Sequence, residues 1–284
     1  MNHAALLGYP IPEIRQMYRG RDAVLYALSV GASHWADHPR GLDFLTDTRG
    51  PAVLPSYVVD LGHPGFWLGD PATTVDATRV VHAEEGFTVF APLPPQAEVI
   101  GRTRIVDIID KGAEKGALMF LAKEVSDAAS GQLLARVERT VMLRGDGGYN
   151  GPSGPVRPPP ATPDTPPDRS LTLSTRADQA FLYRLNGDTN PLHVEPETAR
   201  AAGFPAPILH GLSTFGMAAT CALFALAGGD PARFRGFRAR FSAPVFPGEA
   251  LAVDIWHCGA LRMRSLTRDR EVLSYGQAEI LPEN

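Results

Sequence analysis

One stretch of the sequence is dense in groups that can move protons. It runs Gly187-Asp188-Thr189-Asn190-Pro191-Leu192-His193. A carboxylate and an imidazole converging on one water can serve as base and acid. Asp188 and His193 are five positions apart, so helical spacing does not bring them together, whereas a loop could. Asn186-Gly187 is a turn signal in which Gly187 can take positive φ, and Pro191 pushes Asn190 toward an extended backbone. A short helix is predicted next, with Pro196 at its first position and Gly203 at C′. Taken singly, Asp188 reads as a turn or capping aspartate and His193 as a satisfied, half-buried histidine. Taken together, Gly-Asp-x-Asn-Pro-x-His is far more specific than either.

Such a loop needs rigid elements around it. Gly211 to Gly229 is nineteen residues without a charge. Its Gly, Ala, Ser and Thr content and its Gly203–Pro207 approach predict a buried central helix rather than a membrane span. Asp22–Ala32 is a shorter helical candidate in the first half. From Gly145 to Ser170 the chain is rich in proline, with eight between Pro152 and Pro167. Proline fixes φ and lacks a backbone donor, so an extended linker is expected there.

The parts on either side look alike. Phe90–Glu98 precedes a strand-like Val99–Ile109, and Ser242–Glu249 precedes a strand-like Ala250–His257. Two more β-rich runs follow in each: Ala117–Val125 and Leu133–Leu143, then Leu261–Thr267 and Glu271–Ile280. A repeated order of turn, long strand, hairpin and final strand points to duplication, against chance similarity of Pro-containing turns. The expected organisation is a first unit over 1–145, a linker over 146–170 and a second unit over 171–284. The fold class is α+β, with two antiparallel sheets each wrapped around a helix.

Tyr183-Arg-Leu-Asn-Gly-Asp-Thr-Asn-Pro-Leu-His193, with Gly203-Phe and Pro207-Ile-Leu-His-Gly-Leu212, resembles the hydratase 2 motif of MaoC-like (R)-specific enoyl-CoA hydratases. The match is close from Tyr183 to Gly216 and looser over nearly the whole chain. It is most similar to the double hot-dog form found in multifunctional enzymes of type 2 and in stand-alone bacterial relatives. Asn186 departs from the family's usual Ser or other small residue, outside the acid/base pair.

The resemblance implies that water adds across a trans-2-enoyl-CoA to give a (3R)-3-hydroxyacyl-CoA. It gives Asp188 and His193 the activation of water and return of a proton, and Asn190 the orientation of the water or of Asp188. Gly211 would offer its N–H to the developing enolate, a contribution on the order of 3 kcal/mol. Free N–H groups and a positive dipole end make a helix start suitable for this. In the first half, His82 and Ala83 match a substrate-binding His-Gly, Lys111 a lysine near the CoA, and Phe241 in the second half a CoA-contacting position. Ala83 in place of glycine puts the backbone contact in question. On residues alone, a hairpin-tip lysine is nearly as good a reading of Lys111, and a core phenylalanine an equal one of Phe241. The resemblance implies acyl-CoA as substrate, no further cofactor and no metal. It allows a homodimer, and the short first-half helix implies room for a long or bulky acyl chain.

The remaining composition narrows the classes. A hydrophobic fraction of 44 % and a charged fraction of 20 % exclude a disordered, collagen-like or fibrous chain. The formal net charge of −4 gives no electrostatic case for nucleic acid. Arg233, Arg235, Arg238 and Arg240 form a local basic run that reads mainly as a solvated strand face, with CoA phosphates as the alternative. Two cysteines without zinc spacing fit a reducing cytoplasm. Neither a secretory signal near Met1–Arg15 nor a peroxisomal or lipidation tail is expected. No P-loop, GxGxxG before a helix or GxSxG is present. Two competing readings are a hot-dog thioesterase and a non-catalytic acyl-CoA-binding subunit.

Overall fold

The computed structural model describes residues 1–47, 51–156 and 158–283. The elements run α1 (His3–Leu7), β1 (Ile14–Tyr18), α2 (Gly20–Ser29), β2 (Val80–Val89), β3 (Ala97–Asp110), β4 (Ala117–Asp127) and β5 (Leu133–Leu143). After the proline-rich stretch come β6 (Arg169–Ser174), α3 (Gln179–Tyr183), α4 (Pro196–Ala201) and α5 (Gly211–Ala227). The chain ends with β7 (Phe234–Phe241), β8 (Ala250–Ile255), β9 (Ala260–Ser265) and β10 (Arg270–Ile280).

All pairings are antiparallel, in the order β1-β3-β4-β5-β2-β7-β10-β9-β8-β6. The halves repeat one plan: an edge strand, a helix, the strand at the junction, then a three-strand meander. The two sheets expected, one per half, meet edge to edge. Glu84 to Thr88 of β2 pair with Gly236 to Arg240 of β7, making one continuous sheet of ten strands among the described residues. That pairing satisfies edges that would otherwise be open on both halves.

α5 is buried along almost its whole length, as expected for an uncharged helix wrapped by protein. It ends where Gly228 and Gly229 take φ of 62° and 78°, conformations that favour glycine. It packs on β7, β8, β9 and β10. α2 lies across it at Gly216, where an added Cβ would stand 2.5 Å from the Val30 side chain. α2 is capped by Asp22, whose carboxylate accepts the Arg19 N–H at 2.9 Å. It begins two residues before the expected Asp22 and stops at Ser29, because Gly31 at φ 73° turns the chain into short 3₁₀ turns.

Among the described residues of 145–168 there is no helix or strand, and most are exposed. Arg157 of this stretch lies outside the described residues, as does Asn284 of the tail. The stretch is tied down at both ends. Asp110 N–H donates to the Pro152 carbonyl at 2.7 Å, and Trp256 Nε1–H to the Thr165 carbonyl at 3.0 Å. No helix among the described residues is long and apolar enough to cross a membrane.

Candidate active site

The acid/base loop joins α3 to α4. Tyr183 and Ala180 of α3 are fully buried and anchor its start. Gly187 then reverses the chain at φ 119°. The Asp188 carboxylate accepts the Asn190 N–H at 3.2 Å, and the Asn190 side chain accepts the Leu192 N–H at 3.0 Å. Asn190 thus caps the 3₁₀ turn Pro191–His193, with φ −53° and ψ 121° as a pre-proline residue prefers. α4 follows with Pro196 first and Gly203 beyond its end at φ 86°.

These turns bring Asp188 and His193 together. Their polar side-chain atoms, with one of His210, all lie within 4.8 Å of one another. The ring Nδ1 of His193 is 2.8 Å from the Ile208 carbonyl. A carbonyl can only accept, so Nδ1 carries the proton and Nε2 holds the lone pair of the neutral ring. Burial pushes the His193 pKa below its ordinary 6.5, partly offset by the Ile208 bond and Asp188. The ring is therefore neutral, and able to accept a proton, at neutral pH. Three convergent donor atoms are also a geometry that a divalent cation can use, though one nitrogen of each ring is already engaged with a carbonyl.

Gly211 opens α5 beside this loop. Ser213 and Thr214 donate their N–H groups to the His210 carbonyl at 3.1 and 3.3 Å. The N–H groups of Gly211 and Leu212 have no acceptor among the described residues. These are orphan donors at a positive helix end. A Cβ on Gly211 would sit 3.2 Å from the Phe241 ring, so the glycine and the ring form one surface. Phe241 in turn contacts the His82 ring, with centroids 4.7 Å apart.

His82 therefore comes from the first half to the same place. Its Nε2 lies 2.8 Å from the Glu85 carboxylate and 3.2 Å from the Glu84 carbonyl. Ala83 occupies the β-bulge between His82 and Glu84, the extra residue that the β5 ladder does not pair. Lys111 stands apart. It is exposed on the hairpin tip between β3 and β4, and no contact joins it to the other site residues among those described.

Residues 159–276 match the family described as MaoC like domain, and residues 17–145 match the MFE-2 hydratase 2 N-terminal domain. The chain is 40 % identical to the 3-hydroxyacyl-thioester dehydratase Y of Mycobacterium tuberculosis, over 83 % of this chain and 81 % of that one. It is 37 % identical to the enoyl-CoA hydratase ChsH3 of the same organism, over 97 % of each. The chain belongs to the MaoC-like hydratase 2 family. A crystal structure of a MaoC-like dehydratase from Phytophthora capsici superposes with a TM-score of 0.85 at 28 % identity, over 99 % of both chains. The double hot-dog fold is common to the family and to this chain.

This family member also carries buried polar residues that its motif does not announce. Glu85 takes two bonds from the Arg139 guanidinium, at 2.8 and 3.0 Å. Burial alone would raise its pKa, but Arg139 and His82 hold it at about 2. Lys123 donates to the carbonyls of Val58, Val59 and Leu61 at 3.0, 2.8 and 2.6 Å, and burial draws its pKa down to about 7. Asp60 accepts from the Tyr183 hydroxyl at 2.8 Å, and burial lifts its pKa to about 7. Lys123 and Arg139 border a small cavity of about 20 Å³, together with His63, Trp67, Thr103 and Leu121. None of Asp188, His193 and Gly211 lines it.

The arginine run that begins just before β7 is largely engaged. Arg240 bonds Glu84 at 2.7 Å, Arg235 donates to the Val89 carbonyl, and Arg233 pairs with Glu283 at 2.8 Å. His210 stands in the motif Pro207–Leu212, but nothing in the sequence gives it a role of its own. The His-Gly at a helix start was its one visible signal.

Proposed function

We propose that this chain hydrates trans-2-enoyl-CoA to (3R)-3-hydroxyacyl-CoA, as a hydro-lyase of acyl-chain metabolism. The convergence of Asp188 and His193 beside the unpaired N–H of Gly211 carries the reading. Water bound between the carboxylate and Nε2 of His193 loses a proton to this pair as its oxygen attacks C3. Electron density moves to the thioester oxygen, where the Gly211 N–H donates to the developing charge. The proton returned to C2 completes the addition, so atoms and charge balance without a cofactor or metal. Asn190 holds the loop that sets Asp188.

The second half, 171–284, supplies the acid/base pair. The first half, 1–145, supplies substrate contacts at His82 and Ala83, with Lys111 meeting a CoA phosphate as a point charge. Phe241 packs against the thioester end. The acyl chain runs toward the first half, where α2 is short. A cytoplasmic homodimer is the working assembly, binding neither nucleic acid nor membrane.

The test is to follow the conjugated enoyl thioester absorbance and free thiol together, over enoyl-CoAs from short to bulky. Loss of absorbance without thiol release supports hydration. Thiol release would mean a thioesterase, and no turnover on any of them a binding subunit.

A further inference from the structure

His210 is the residue before Gly211, and it is only 1 % exposed. Its ring lies between two others. The His193 centroid is 3.8 Å away with planes 30° apart, and the Tyr183 centroid is 5.0 Å away. Nε2 of His210 is 3.2 Å from the main-chain carbonyl of Asp188, so Nε2 carries the proton. Nδ1 is buried without a hydrogen-bond partner among the described residues. An orphan buried acceptor costs free energy that an apolar side chain would avoid. Filling space does not explain a histidine here.

Its other contacts do. One N–H holds the carbonyl of Asp188, one ring face lies on His193, and the backbone begins the helix of Gly211. We propose that His210 is a positioning residue, which as a neutral imidazole locks both members of the acid/base pair against the start of α5. The proposal rests on the hydratase reading of that pair. Protonation would set two cationic rings 3.8 Å apart if His193 were also charged. The groups that face His210 are His193, Asp188, Tyr183 and Arg184. Burial, then His193, draws its pKa down to about 4, against the opposite pull of Asp188. Tyr183 continues the stack to the first half through its bonds to Asp60, at 2.8 and 3.0 Å.

Two variants of the full chain separate positioning from packing. His210→Phe keeps an aromatic face and removes the N–H. His210→Gln restores an N–H at similar reach. His210→Phe is expected to lower kcat about 10- to 100-fold with KM changed less than about threefold, the pattern of a group that matters beyond ground-state binding. His210→Gln should recover most of the loss. Nitrogen-15 NMR of the histidine rings in the wild-type chain should show His210 protonated on Nε2 and His193 on Nδ1 at neutral pH. Wild-type kcat in a folded His210→Phe, no recovery in a folded His210→Gln, or an Nδ1 proton on His210 would each overturn the proposal. The NMR readout needs no turnover. An inactive wild-type chain that shows these tautomers would retire the hydratase reading while leaving the lock on Asp188 and His193 in place.

Discussion

The two halves share a strand order but fill their interiors differently. In the second, α5 runs for 17 residues and packs almost wholly apolar surface against its sheet. In the first, α2 stops after 10 residues and short 3₁₀ turns follow, and this half buries Glu85, Lys123 and Asp146. A long apolar helix gives a rigid N-terminus from which one N–H can be aimed. Charged groups brought inside the first half must be paired. One plan therefore supplies a long buried helix in one half and a more polar interior in the other.

The largest expected effect is at the reaction centre. Asp188→Asn and His193→Ala should each lower kcat about 10²–10⁴-fold while the fold survives, because both lie on a loop. Steady-state hydration with circular dichroism checks this. Near-normal turnover would remove that residue from the chemistry, and unfolding would make it structural.

In the first half the expected effect is on stability. Glu85→Ala leaves the Arg139 guanidinium buried and unpaired, and should cost about 3–5 kcal/mol in denaturant unfolding. The same pairing predicts acid sensitivity. Glu85 is held at about 2, below the ordinary carboxylate range, so its stabilisation is present above about 4.5 and lost as pH falls toward 2. His210 adds a loss at higher pH. Its folded pKa of about 4 lies below the ordinary 6.5. Between those values the unfolded chain takes a proton that the folded chain refuses, so stability falls as pH drops through that window. An unfolding free energy flat from pH 7 to 4 would contradict this.

Much of this contrast was legible in the sequence. An uncharged nineteen-residue run can only be buried, and proline and glycine marked the loop around Asp188. The meander strands are visible as β-rich runs that follow Pro-containing turns in both halves. β1, β6 and the junction strand β2 are not, since β2 carries His82, Glu84 and Glu85 and so lacks an apolar alternation. The buried charges were illegible for the same reason. Glu85 pairs with Arg139, 54 positions on, and Asp60 with Tyr183, 123 positions on, and no local pattern encodes such distances. The joining of the sheets through β2 and β7 is equally a tertiary fact.

The smallest expected effect is at Lys111. If Lys111 meets a CoA phosphate as proposed, Lys111→Ala should raise KM a few-fold, about 1 kcal/mol, with kcat nearly kept. A large kcat loss at constant KM would move Lys111 out of the binding role.

The central claim is that one acid/base pair, fixed against the start of α5, delivers water from one side only. Product stereochemistry tests it most directly. Hydration of an enoyl-CoA is coupled separately to a (3R)-specific and a (3S)-specific 3-hydroxyacyl-CoA dehydrogenase. Turnover with the (3R) partner alone is the predicted result. Turnover with the (3S) partner, or with both, would contradict a single face of attack set by Asp188 and His193.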